Sequence, residues 1–233
     1  ELPVFSQGLM NGLIYGGGFA LIHMLHFIVA TKQPAMTAAT LAATVSQVRG
    51  RLKETERLAD LVVATVRGQI AAISGNVLVA LPVALVLGML SGSFGREPLI
   101  THHKAAYLLN ELDPFGATLI YAATAGVWLF MAGLVSGYFD NLTAYSRFGD
   151  RVANHPILLR IFRKHLTAKI GGYLERNTGG LAGNLFFGMM LGITPALGQA
   201  FGLPLDIRHI AFSSANLGYA LSALNFKIGW LTL

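Results

Sequence analysis

Two histidines near the N-terminus have a spacing that could carry chemistry. His23 and His26 lie three residues apart in an apolar stretch, so on a helix they occupy neighbouring positions of one face. Ionisable groups inside a membrane are costly and usually face the interior of a helix bundle. The pair could ligate a metal, relay protons, or donate hydrogen bonds from neutral imidazoles to backbone carbonyls. We expect the structural, hydrogen-bonding role.

A second polar group follows the last long apolar stretch. Asp206 could pair with Arg208, but its place before a helical pattern favours a helix cap. His209, Ser213 and Asn216 recur at i, i+4 and i+7, which places them on one helix face. A polar stripe on so apolar a helix predicts burial against other helices.

A basic amphipathic segment begins at Pro156. Its apolar residues recur on one face, and its cations occupy the others. A basic amphipathic helix beside a membrane usually lies in the interface, with its cations near anionic headgroups. We expect lipid or phosphate contacts at Arg160, Arg163, Lys164 and Lys169.

The motifs of catalysis and cofactor binding do not occur in this sequence. It contains no Gly-x-Ser-x-Gly, no His-Glu-x-x-His and no phosphate loop. It has no Cys, and its apolar stretches contain no Asp or Glu, so nothing in sequence completes a metal site with the two histidines. We therefore predict no catalytic residue, no metal and no cofactor.

Long apolar stretches position these groups and define the class of protein. Each is 21 to 23 residues long and free of charged side chains, and about 20 apolar residues in a helix span a bilayer core. We expect an all-α polytopic membrane bundle with four or five transmembrane helices and amphipathic cytoplasmic helices. Pro82 should kink the second span, and the fourth could break near Pro195 into two half-helices. The predicted spans are 9–29, 70–90, 117–139 and 181–203, with 207–226 as the candidate fifth.

The net charge of +6 is distributed unevenly between the spans. Six cations lie between the first and second spans, two between the second and third, and seven between the third and fourth. This alternation follows the positive-inside rule. It predicts a multi-pass protein of the inner membrane, with loops 31–68 and 140–178 in the cytoplasm against anionic headgroups. Orientation explains the basic composition better than a nucleic-acid partner does.

Local patterns predict further details. Gly8, Gly12 and Gly16 recur every four residues, which favours close packing of helix backbones in lipid. The first cytoplasmic loop is compatible with a helical hairpin, and residues 101–112 with a short external helix capped by Thr101. We expect one transmembrane domain over residues 1–233, belonging to a longer chain whose remainder is a partner. The sequence does not predict an oligomeric state.

Three stretches carry a resemblance to a known family. They begin at Tyr15 (YGGGFALIHMLH), Ala30 (ATKQPAMTAATLA) and Gly202 (GLPLDIRHIAFSSANLGYAL). Together they resemble the bacterial family of site-specific recombinase transmembrane proteins, over most of the chain. The family name implies DNA strand exchange, but the resemblance assigns no catalytic residue to this sequence.

Three functional interpretations follow. We expect a polytopic inner-membrane protein to which no biochemical activity can be assigned from sequence. The first alternative is a transporter or channel for a small solute or proton, with a path along His23, His26 and the broken fourth span. The second is a membrane-tethered protein that acts on DNA through the cations of residues 49–67 and 147–176.

Overall fold

A computed structural model describes residues 3–26, 52–93 and 99–226, and all regular structure in these ranges is helical. The all-α class is therefore confirmed. Most of the helical hairpin predicted for loop 31–68 lies outside the described residues, which omit 27–51. The helices are α1 (Val4–Met24), α2 (Leu52–Ser93), α3 (His102–Asn110), α4 (Thr118–Tyr145), α5 (Phe148–Ala153), α6 (Pro156–Ile161), α7 (Lys164–Phe201) and α8 (Ile210–Ala223).

Three of these helices are long and apolar enough to cross a membrane: Leu58–Ser91 within α2, all of α4 and all of α7. They contain the predicted span 70–90 and nearly all of 117–139 and 181–203. The other two predicted spans do not correspond to helices that are long and apolar enough to cross a membrane among the described residues. The expected span 9–29 corresponds to α1, which ends at Met24, and 207–226 corresponds to α8, a helix of 14 residues. The count of four or five spans therefore stays a prediction.

The prolines do not interrupt their helices. α2 continues through Pro82, and α7 continues through Pro195. The predicted break of the fourth span at Pro195 is therefore wrong. A proline removes one backbone hydrogen bond, but its neighbours Thr194 and Ala196 are buried by packing. That packing offsets the loss and keeps α7 continuous.

Contacts divide the chain into two units, of which the first contains the described residues 3–26 and 126–205. Its main contact joins α1 to α7. The backbone of α1 at Gly16 approaches that of α7 at Gly188, and Gly12 approaches Gly192. Because rising numbers on α1 meet falling numbers on α7, the two helices are antiparallel. The four-residue glycine repeat thus packs helix against helix, as predicted.

The other side of α7 carries α4 in the same unit. A Cβ added to Gly183 would lie 2.8 Å from the carbonyl oxygen of Ala132 and 3.0 Å from the Cβ of Ser136. Ser136 is fully buried. Small residues again set the helix separation, because a larger side chain would collide with the backbone of the neighbouring helix.

The second unit contains the described residues 52–93, 99–125 and 206–226. Its main contact joins α2 to α8, where a Cβ on Gly218 would lie 2.5 Å from the carbonyl oxygen of Leu81 and one on Gly88 would lie 2.6 Å from Ser222 Oγ. α3 packs on α8 through Ala105, Leu109 and Ala220, all nearly fully buried. This packing fixes the end of α3 beside the segment that precedes α8.

The short helix α3 has the predicted cap. Thr101 Oγ1 accepts a hydrogen bond from the backbone N–H of Lys104 at 3.2 Å, which satisfies one of the free donors of the first turn. The helix ends at Asn110 rather than at residue 112. A turn follows, in which the backbone N–H of Phe115 donates to Asp113 Oδ1 at 2.9 Å.

Candidate functional site

The densest polar cluster lies in the second unit and centres on Arg208. Its Nη2 is 2.8 Å from Glu111 Oε2, its Nε donates to the Glu111 carbonyl oxygen at 3.3 Å, and its Nη1 donates to Asp206. The Arg208 side chain is only 13% exposed. One guanidinium thus holds two carboxylates from segments that are far apart in sequence, a geometry that guanidinium groups favour.

Two tyrosines complete this cluster. The backbone N–H of Arg208 donates to the Tyr121 carbonyl oxygen at 3.2 Å, and the guanidinium carbon lies 5.2 Å from the centre of the Tyr121 ring. Burial raises the pKa of the Tyr107 hydroxyl, and its hydrogen bond to Glu111 raises that pKa further. The cluster therefore joins the end of α3, the start of α4 and the segment before α8.

The predicted helix cap at Asp206 is wrong, and the alternative pairing with Arg208 is observed. α8 begins at Ile210, and its N-cap residue is His209, which makes no side-chain cap hydrogen bond. Asp206 Oδ1 instead accepts from the backbone N–H of Ile207 at 2.7 Å, while Oδ2 accepts from the guanidinium. Residues 203–209 are not helical, so α8 begins at Ile210, after the ion pair.

The predicted polar stripe of α8 is half-buried. Burial lowers the pKa of His209 to about 4, because a buried imidazole resists charging. Its ring centre lies 5.5 Å from that of Phe212. Ser213 and Asn216 follow it and are also half-buried. His209 is therefore neutral at pH 7, and its ring packs beside the Arg208 cluster.

The histidines of the first unit do not form a pair. His23 lies in the last turn of α1 and is half-buried, whereas His26 lies beyond the helix end, is exposed and has a φ of 62°. The prediction that the two share one helix face is therefore wrong, because α1 ends at Met24 before a further turn can align them. His26 therefore does not form a site together with His23.

His23 instead lies against α7. A Cβ on Gly180 would be 2.5 Å from His23 Nε2, so a larger residue there would require the ring to shift. Asn184 is 1% exposed, and its Nδ2 donates to the Gly180 carbonyl oxygen at 2.8 Å. Within the described ranges, both His23 Nε2 and Asn184 Oδ1 are buried without a hydrogen-bond partner. Two polar groups thus converge on one turn of α7.

Asp140 links two helices of this unit and was not predicted from sequence. Its Oδ1 accepts a hydrogen bond from the backbone N–H of Gly179 at 3.1 Å, which joins α4 to α7. The predicted third span ended at Phe139, so the carboxylate was assigned to the following loop. Its spacing of four residues from Ser136, and again from Ala132, is the signal that could have placed it on the packed face of α4.

The predicted lipid or phosphate contacts are all exposed. Arg160 lies on α6, Arg163 precedes α7, and Lys164 and Lys169 lie in its first turns. We call these four residues the basic surface. Apolar side chains are exposed among them, including Ile161 at 65% and Leu166 at 43%. The predicted amphipathic helix is divided, because the backbone is extended at Phe162 and Arg163 between α6 and α7.

The described residues contain no group of three or more His, Asp or Glu side chains that could hold a metal ion. Comparison with known proteins gives one family. A family model described as site-specific recombinase matches residues 1–233. No curated protein and no solved structure matches the chain.

Proposed function

The chain belongs to the site-specific recombinase family over residues 1–233, and we propose that it is a multi-pass protein of the inner membrane that binds anionic lipid at the basic surface. The observation that carries this proposal is the mixture of exposed cations and exposed apolar side chains at residues 157–169. Water alone would not favour Ile161 or Leu166 in exposed positions, whereas the headgroup boundary accommodates both kinds of side chain.

The long helices support the membrane part of the proposal. Large apolar side chains are exposed along two of the three candidate spans, among them Leu78 at 72% and Leu119 at 68%. Such surfaces on a soluble protein would promote aggregation. Hydrocarbon is the solvent in which they are favourable.

Reporter fusions test the orientation. Fusions after Arg163 and after Lys104, made in the full chain, are expected to report the cytoplasm and the periplasm respectively, because loop 140–178 is rich in cations and the Lys104 loop is poor in them. The protein should also stay in the membrane pellet after carbonate extraction. A periplasmic reporter at Arg163, or release by carbonate, would contradict the proposal.

Lipid and DNA binding are separated with the purified full chain in neutral detergent. We expect it to bind phosphatidylglycerol more tightly than phosphatidylcholine, and to lose this preference when the four cations of the basic surface are replaced by Gln. Lys104→Gln is the control outside the basic surface. Duplex DNA is titrated at roughly 50 to 300 mM salt, where contacts to phosphate weaken steeply. Tight DNA binding with no lipid preference would favour a membrane-tethered DNA-acting protein.

A second candidate function is a path for a proton or small solute along α1 and α7. The buried polar atoms at His23 and Asn184 favour it, because unsatisfied polar groups in an apolar bundle are costly and often mark such paths. Proteoliposomes with His23→Ala should lose flux, while His26→Ala, which changes an exposed histidine outside the helix, should keep it. Equal flux in both variants and the parent would exclude a role for His23.

A further inference from the structure

A recess lies between the two short helices α5 and α6 of the first unit. Its volume is about 330 Å³ and it is open on one side. The lining residues are Phe148, Arg151, Val152, His155, Ile157 and Leu158. We call it the α5–α6 recess. It lies outside the basic surface, and no residue that lines it belongs to that surface.

The packing of α5 explains why the recess exists. A Cβ on Gly149 would lie 2.8 Å from the Gly171 carbonyl oxygen, and one on Gly171 would lie 3.0 Å from the Ala153 Cβ. The face of α5 that carries Gly149 and Ala153 therefore lies directly on α7. Phe148, Arg151 and Val152 lie at three- and four-residue steps at other positions of α5, and they line the recess together with His155, Ile157 and Leu158.

The ionisable side chains that line the recess, Arg151 and His155, are both basic. The nearest acid in sequence, Asp150, is engaged by Arg147, whose Nη2 lies 2.7 Å from Asp150 Oδ2. Asp150 does not line the recess. Arg151 forms no ion pair with any described residue, and His155 adds ring nitrogens that can donate or accept a hydrogen bond. An anion at the recess would therefore meet a guanidinium on α5 and an imidazole at the residue that precedes α6.

The apolar side chains that line the rest of the recess indicate which kind of anion would bind there. Four of the six lining side chains are apolar, and these offer nothing to a bare phosphate or to the backbone of DNA. An acyl chain would remove their apolar surface from water, and a phosphate attached to it would reach the guanidinium. Ile157, which is 61% exposed, extends the apolar lining outwards. The ligand that fits both features carries one phosphate and a hydrocarbon tail.

We propose that the α5–α6 recess binds a single anionic phospholipid, with its phosphate at Arg151 and His155 and the start of an acyl chain against Val152, Ile157 and Leu158. This inference rests on the proposed function, because it requires the recess to face the cytoplasmic headgroups. It adds a discrete site for one lipid to the diffuse attraction of the basic surface.

The test uses the full chain in neutral detergent and phosphatidylglycerol with a fluorescent acyl chain, followed by anisotropy. Arg151→Gln should weaken binding about tenfold, since it removes a hydrogen bond to a charged group. Arg151→Lys should keep most of the affinity. Val152→Trp changes no charge but fills the recess, and should weaken binding comparably. Arg160→Gln, the control with the same charge change, should alter the affinity less than twofold.

Three results would overturn the inference. Equal losses in Arg151→Gln and Arg160→Gln would mean that the cations act diffusely. Unchanged affinity in Val152→Trp would mean that no acyl chain enters the recess. Displacement of the lipid by glycerol phosphate at equal concentration would identify a site for soluble phosphate esters. Circular dichroism checks the fold of each variant, and Val152→Trp together with Arg151→Lys carries the test if Arg151→Gln does not fold.

The inference and the proposed function fail in different ways. If the parent binds phosphatidylglycerol and phosphatidylcholine equally, the proposed function fails and the inference fails with it. If the parent prefers phosphatidylglycerol and the four-cation variant abolishes that preference while the recess variants keep it, only the inference fails.

Discussion

Arg208 Nη2 lies 2.8 Å from Glu111 Oε2, although 97 residues separate the two in the chain. Both side chains are largely withdrawn from solvent, at 13% and 32% exposure. The same guanidinium also holds Asp206. This single side chain therefore links the segment before α8 to the end of α3.

Replacing one partner of this pair should destabilise the second unit. Glu111→Gln removes the carboxylate and leaves the guanidinium less compensated, so we expect a loss of about 1–3 kcal/mol, below the range for fully buried pairs. Thermal unfolding in detergent measures it. Arg147→Gln is the control, because the Arg147–Asp150 pair is 79% and 57% exposed and such pairs contribute at most about 1 kcal/mol. Equal losses in the two variants would contradict a special role for the Arg208 cluster.

His209 should make stability depend on pH. Its pKa is lowered to about 4 in the folded chain, against about 6.5 when unfolded, so between these values the unfolded chain binds more protons. Stability is therefore fully present above pH 6.5 and falls as the pH drops towards 4, by at most about 3 kcal/mol. Unfolding temperatures measured across this range should show a smaller slope in His209→Gln. An unchanged slope would assign the pH dependence to other groups.

The glycines of α1 should differ sharply in their tolerance of a side chain. A Cβ at Gly12 would lie 3.0 Å from the Met189 carbonyl oxygen, whereas Gly17 has nothing within 4 Å. Gly12→Ala should therefore destabilise the α1–α7 contact by about 1–3 kcal/mol. Gly17→Ala should be neutral or slightly stabilising, since Ala favours helix. Detergent unfolding curves of the two variants give the comparison, and similar curves would argue against the α1–α7 packing.

Asp140 should stabilise the contact between α4 and α7. Asp140→Ala removes the acceptor for the Gly179 N–H and should cost about 1–3 kcal/mol. Asp140→Asn keeps a side-chain oxygen at the same place and should cost less. The order of their unfolding temperatures is the measurement. A lower temperature for the Asn variant would show that the negative charge, rather than the hydrogen bond, is what matters there.

The features predictable from sequence are those that depend on neighbouring residues. The apolar runs at 70–90, 117–139 and 181–203 predict helices because hydropathy is a local property, and the Thr101 cap depends on a residue three positions away. The repeat at Gly8 and Gly12 predicts a close contact, although it does not say that α7 is the partner.

What could not be predicted depends on distant residues. Nothing in the spacing of Glu111 and Arg208 indicates that they meet, so Asp206 was assigned to a cap instead. The break at Pro195 was expected from a local rule, but burial of Ala196 against α1 keeps the helix intact. His23 and His26 share a face only on a helix that continues, and α1 does not.

The antiparallel contact between α1 and α7 has a consequence for biosynthesis. Gly16 meets Gly188, which is translated about 170 residues later. At about 5–20 residues per second, α1 must wait roughly 10 to 30 s before the ribosome supplies its partner. During that interval the glycine face of α1 lacks the partner that covers it in the folded chain, so this contact forms only after most of the chain has been made.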